Sequence, residues 1–276
     1  MELSVVRIHK ADSPSGPPWT HTRLVVPPEK YLSQCPFVLL SEDWYPPDGG
    51  FSSHRHEGTV MVVLVLHGSV KHSYGAGAQR QLSRGDAAFL TTGAGVLHGE
   101  VAGEHGAHLM RLWLSTPEQL HSVEPRYEVV RCTEAGQAAL GQGTARVYAG
   151  KLADSSAPLR SPWPITLADL RLPPDAQLTL PLHSSERCFA YVMDGEVEIG
   201  RNRVCLARGN VAWIERGLEP GGIGNLPMHA IKRTRVLLFA SPVAEMEPTA
   251  PGARTRAYRA LRAAQMAARE PQGSIA

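Results

Sequence analysis

Two short stretches carry the residues best able to do chemistry, Phe51-Ser-Ser-His54-Arg-His56-Glu-Gly58 and Gly95-Val-Leu-His98-Gly-Glu100. Side chains alternate faces along an extended strand, so His54 and His56 point the same way, as do His98 and Glu100. On neighbouring strands the two pairs would aim three imidazoles and one carboxylate into one small volume. Such a shell suits a divalent transition metal that prefers nitrogen and oxygen. No cysteine lies near either pair, which argues against structural zinc or Cu(I). Fe(II), Mn(II), Ni(II), Co(II) and Cu(II) all fit the donor set, and an octahedral ion would keep two positions open. An HxH pair is weak evidence by itself. Here it follows a glycine-rich turn, precedes a strand, and is answered about forty residues later by a second same-face pair. The remaining histidines, His72 among them, read as surface or satisfied core residues.

The elements around these pairs read as short strands between turns. Ser4–His9, Phe37–Leu40, Val60–Leu66, Ser69–Tyr74, a segment near Gln79–Leu82, Ala87–Thr91 and Ala107–Leu114 are strand candidates, with Gly68, Gly75-Ala-Gly77 and Gly85-Asp86 as punctuation. From Thr144 the pattern restarts, with strands expected at Arg146–Ala149, Ile165–Leu172, Gln177–Leu182, Phe189–Met193, Glu196–Ile199, Val211–Ile214 and Arg235–Ala240. Helical periodicity is almost absent, so the class is all-β, barrel or sandwich.

The two halves also align with one another. Leu64-Val-Leu-His-Gly68-Ser-Val matches Tyr191-Val-Met-Asp-Gly195-Glu-Val, and Leu82-Ser-Arg-Gly85-Asp matches Leu206-Ala-Arg-Gly209-Asn. In that register His183 answers His56, Pro181 answers His54, and Gly222 and Gly224 answer His98 and Glu100. One histidine cannot hold a catalytic metal, so the second copy is expected to be metal-free.

With 276 residues the chain can fill two barrels, and a formal net charge of +2 announces neither a nucleic-acid nor a membrane partner. No run approaches the ~20 apolar residues that span a bilayer. Charge interrupts Met1–Lys10 too early for a signal peptide, and the four scattered cysteines read as small buried hydrophobes, so a cytoplasmic location is expected.

Taken together, Phe51-x-x-His54-x-His56-x-Gly58, Gly85-Asp86 with Leu90-Thr-Thr-Gly93-x-Gly95-Val-x-His98-x-Glu100, and Val123-Glu-Pro-x-Tyr127 resemble the pirin family of the cupin superfamily, from about Leu40 to Val243. The resemblance implies two tandem cupin barrels of the jelly-roll, double-stranded β-helix kind. On that basis residues 1–140 form a metal-binding barrel and 141–245 a barrel without metal; the family's usual C-terminal segment is not recognisable after Val243, and 246–276 reads from its own residues as a tail with a short helix from Arg254 to about Arg269. The resemblance also implies one metal, usually iron, on His54, His56, His98 and Glu100. Two positions depart from the family pattern. Arg55 stands where proline is usual, its charge expected on the opposite face. Val60 replaces a common acidic residue and is expected to make the pocket wall more apolar.

Some pirins resemble quercetinases, which open the flavonol heterocycle with dioxygen and release carbon monoxide. A flavonol-like aromatic substrate and dioxygen would then meet at the metal, with Glu100 as general base. The alternative of another class is a metal-containing transcriptional co-regulator that binds a protein partner. The basic stretch Arg254–Arg262 reads as the start of a docked terminal helix rather than a nucleic-acid arm.

Overall fold

Apolar runs broken by glycine turns fold as strand almost throughout the computed structural model, which describes residues 1–28, 34–159, 161, 163–183, 185–215, 222–243 and 268–269. The first strands are β1 (Val5–Lys10), β2 (His21–Val26), β3 (Phe37–Tyr45), β4 (Gly50–His56), β5 (Thr59–Tyr74), β6 (Ala78–Ser83), β7 (Ala87–Thr91), β8 (Val96–Ser115) and β9 (Arg126–Val130). The described residues form two compact units, one spanning Asp12–Cys132 and the other joining Met1–Ala11 to Thr133–Val243. This departs from the expected division at residue 140. The first strand belongs with the later unit because β1 pairs antiparallel with Asn210–Ile214, setting Ile8 opposite Ala212.

In the unit that contains the histidine pairs, β5 and β8 are each far longer than the sequence pattern suggests. Val60–Leu66 and Ser69–Tyr74 are one strand, and the closing strand Ala107–Leu114 is continuous with the segment bearing His98 and Glu100. Both strands bend midway. Gly68 and Gly106 lie side by side with φ of +70° and +72°, a conformation that L side chains rarely adopt. Beyond the bend the partners change. The N-terminal half of β5 pairs with the C-terminal half of β8, Met61 opposite Trp113, and the other halves meet with His72 opposite Glu100. β3 joins the first of these pairings and β4 the second, so two strands supply both walls of a barrel. An apolar cluster including Met61, Val63, Val65, Leu90 and Trp113 fills one end.

The other unit pairs a seven-stranded sheet with a four-stranded one containing Gln177–His183 and Ile223–Ala230. Its core takes Leu180, Leu182, Leu226 and Met228. His183, which the repeat sets against His56, alternates to the exposed face of its strand while Leu182 turns inward. The repeat register is thus offset by one residue there, and the interior positions are apolar.

The C-terminal helix expected within 246–276 lies outside the described residues, apart from Ala268 and Arg269. Those two are extended and pair with Phe51 and Gly50 of β4. Among the described residues no helix is long and apolar enough to cross a membrane.

The bend makes a test of the architecture. A Cβ on Gly68 would lie 2.1 Å from the Gly106 carbonyl oxygen, whereas one on Gly75, also at positive φ, would meet nothing within 4 Å. Gly68→Ala should cost roughly 2–4 kcal/mol in denaturant unfolding, and Gly75→Ala roughly 1 kcal/mol. Equal losses would mean that backbone strain alone, and not the close approach, fixes glycine at the bend.

Candidate metal centre

The structure clusters three of the expected residues, His54, His56 and His98, and sets the fourth, Glu100, in a second cluster that shares His98. β4 lies beside β8 with His54 directly opposite His98, and Phe51 opposite Glu100. Three residues on β4 thus span two on β8, a bulge that lets Phe51 and His54 both face inward despite their odd spacing. Ring centres of His54, His56 and His98 stand 4.4 to 4.8 Å apart. Ligand atoms of those three lie within 4.8 Å of one another, and those of His72, His98 and Glu100 form a second such group.

Hydrogen bonding distinguishes the two groups. Both ring nitrogens of His72 are engaged, Nε2 with His98 Nδ1 at 3.2 Å and Nδ1 with the Tyr127 hydroxyl at 3.1 Å. In contrast, Nε2 of His54, of His56 and of His98, and Oε1 of Glu100, are all buried with no hydrogen-bond partner. Stranding one such atom costs about 1–3 kcal/mol, so a cluster of them calls for a partner. A cation satisfies them all, and the chemistry of the set fits a transition metal.

The neighbouring groups orient these atoms. His54 Nδ1 donates to the Ser52 carbonyl at 2.8 Å, which leaves its Nε2 as the unprotonated nitrogen. Tyr45 donates to Glu100 Oε2 at 2.9 Å. Arg111 lies 3.6 Å from the same oxygen and makes a two-pronged pair with Asp43, both bonds 2.9 Å. Asp43 is in turn held by the hydroxyls of Thr22 and Ser41, each at 2.6 Å. The guanidinium carbon sits 4.1 Å from the Phe51 ring centre and 5.1 Å from that of Trp113. A buried cation thus stands behind the carboxylate, fixed by its own counter-ion.

Burial sets the charge states. It pushes all three candidate ligand imidazoles below the ordinary histidine value, His56 to about 3, with neighbouring imidazoles and Arg111 adding to the effect on His56 and His98. Burial likewise takes His72 to about 3. Glu100 is pushed up by burial, against the opposing pull of Arg111 and Tyr45. Neutral imidazoles are the form a metal takes.

Three expectations are corrected or extended here. Val60 is not in the pocket wall, because Met61 shares the face of Trp113, whose ring is 6.3 Å from His56, and Val60 alternates to the other. Arg55 does face outward, where it pairs with Glu57 and donates to the Ala94 carbonyl at 2.7 Å. It therefore ties the first ligand strand to the turn preceding the second. His72, Tyr45 and Arg111 were not singled out from sequence. The alternation of Val70, His72 and Tyr74 was the one available sign that His72 faces in.

A β-barrel of this construction has the cupin fold. Several comparisons refine that class. The pirin family model matches residues 31–114. A putative pirin-like protein of Arabidopsis thaliana is 29% identical over 161 residues, covering 58% of this chain and 59% of that protein. A putative quercetin 2,3-dioxygenase of Pseudomonas aeruginosa is 27% identical over 195 residues, 66% of this chain and 68% of that one. Among solved structures, GK1651 from Geobacillus kaustophilus superposes with a TM-score of 0.85 at 25% identity, covering 90% of this chain and 99% of that one. The bacterial pirin YhhW of Escherichia coli, solved in complex with nickel(II), shares the fold with a TM-score of 0.67 at 21% identity, over 86% and 99% of the two chains. The chain is thus similar to pirins over rather more than half its length, and it spans less than two thirds of the length of the curated pirin-like relatives it matches first.

The depressed imidazoles predict an acid sensitivity of the metal-free protein. His56 and His72 are neutral when folded down to about pH 3, but take up protons near 6.5 when unfolded. The unfolded state therefore binds more protons below that point. Stability is fully present above pH 6.5 and should fall by about 1.4 kcal/mol per pH unit for each such group as the solution is acidified. Glu100, shifted the other way, offsets part of the loss near its own titration. Denaturant titrations from pH 7.5 to 5 check this, and a flat profile would contradict it.

Proposed function

We propose that this chain is a metal-dependent dioxygenase that opens a flavonol-like aromatic substrate with dioxygen and releases carbon monoxide. The observation that carries the reading is the cluster of His54, His56 and His98, whose Nε2 atoms are buried without a hydrogen-bond partner, with Glu100 clustered beside the same His98. The likeness to a putative quercetin 2,3-dioxygenase supports the choice of reaction. His54, His56, His98 and Glu100 would hold one divalent ion, iron(II) first, with manganese, nickel, cobalt or copper as alternatives; nickel(II) is the ion in the Escherichia coli pirin structure. Bound there, such an ion supplies Lewis acidity that lowers the pKa of a substrate hydroxyl, and a place for dioxygen to react.

The chain's own residues do the rest. Glu100, raised by burial, has the basicity to accept the proton of the flavonol 3-hydroxyl, and Tyr45 holds its other oxygen so that Oε1 faces the cavity. Arg111, 3.6 Å from Oε2, favours the ionised carboxylate and so opposes the effect of burial. His54 is the least buried of the four, so the open side of the site is on its side. Phe51, Tyr45 and Trp113 form an apolar, aromatic surround that excludes water and suits a planar ring.

Oxygen uptake by iron-reconstituted protein with quercetin tests the proposal, with metal analysis and His98→Ala as controls. Uptake with carbon monoxide release, lost in His98→Ala and after chelation, is the expected result. A full complement of metal with no uptake across several transition metals would sink the quercetinase reading and favour the co-regulator alternative.

A further inference from the structure

His72 is wholly buried, yet none of the chemistry proposed so far uses it. It stands between a ligand histidine and a half-buried phenol, with Nε2 3.2 Å from His98 Nδ1 and Nδ1 3.1 Å from the Tyr127 oxygen. Tyr127 is stacked on Tyr74, ring centres 4.0 Å apart and planes within 10°. A neutral imidazole carries one N–H and one lone pair, so the direction of one hydrogen bond in such a chain dictates the next. For His98 to present the Nε2 lone pair, its proton must sit on Nδ1 and be donated to His72 Nε2. His72 then bears its proton on Nδ1 and donates it to the Tyr127 oxygen. Run the other way, Tyr127 donates to His72, His72 donates to His98 Nδ1, and the His98 proton moves to Nε2, where it faces His54 and His56 and blocks the site.

His54 has no such freedom, because its Nδ1 partner is a backbone carbonyl that can only accept. His98, by contrast, is backed by a group that can donate or accept.

We infer that His72, backed by Tyr127, is the positioning residue that selects the metal-binding tautomer of His98, and that metal loading fixes the direction of the whole His98–His72–Tyr127 chain. The state of the metal is thereby carried to a tyrosine outside the ligand shell. This rests on the metal reading of the four-residue site, not on the identity of the substrate.

Zinc, which is diamagnetic and needs no turnover, is the probe. Competition titrations on the full chain should show His72→Phe binding zinc 10- to 100-fold more weakly, the usual cost of removing the group behind a ligand histidine. His72→Gln, whose amide both accepts and donates, should stay close to wild type. Nitrogen-15 spectra of histidine-labelled wild type should place the His72 proton on Nδ1 in the zinc form. Wild-type uptake with unchanged affinity in His72→Phe, or a zinc form with His72 protonated on Nε2, would overturn this inference alone. No zinc uptake by wild type would overturn the metal reading with it. Should His72→Phe fail to fold, His72→Gln and the wild-type spectra still decide.

Discussion

Four buried ligand atoms, Nε2 of His54, His56 and His98 and Oε1 of Glu100, are the constraint on which the rest of the N-terminal barrel depends. Each is costly to bury without a partner. The fold around them compensates at a distance. Arg111 balances Glu100, Asp43 balances Arg111, and Thr22 and Ser41 complete the shell of Asp43. That sequence of partners crosses β8, β3 and β2, so the charge of one carboxylate is spread over three strands. Such a network is stable only when every member is satisfied. The only members left without a partner are those turned toward the cavity, together with one Arg111 nitrogen beside Glu100.

The second unit shows what the same architecture becomes without that demand. Its strands Gln177–His183 and Ile223–Ala230 run antiparallel with Leu182 opposite Gly224 and Leu180 opposite Leu226. Apolar side chains fill the interior, and the polar residues Gln177, Thr179 and His183 alternate to the outside. A core of leucines and methionine needs no buried counter-ion. One unit is stabilised by packing, and the other gives up part of its packing to hold a reactive group.

Much of this was legible in the sequence, for reasons that are local. Alternation within His54–His56 and His98–Glu100 is a property of a few consecutive residues, and so were most strands. What stayed hidden depended on register. Nothing in the chain near His72 says that it faces Glu100 across β5 and β8. The bulge between Phe51 and His54, and the one-residue offset that turns His183 outward, each exchange faces through a single unpaired residue. Gly68 was read as the end of a strand because glycine usually interrupts one; here it is the bend of a longer strand, made possible by a second glycine packed against it. Arg55 looked like a lost proline and is instead a clamp between the two ligand segments.

β4, which carries His54 and His56, hydrogen-bonds along one edge to β8, and along the other only to Ala268 and Arg269 among the described residues. An ion shared by His54, His56, His98 and Glu100 would therefore stitch a lightly held strand to a firmly held one. Capture and escape of the ion then become questions of how often that strand peels away, a local opening far cheaper than unfolding the barrel. Residence time at the site would be set by the hem of the sheet as much as by the donors themselves.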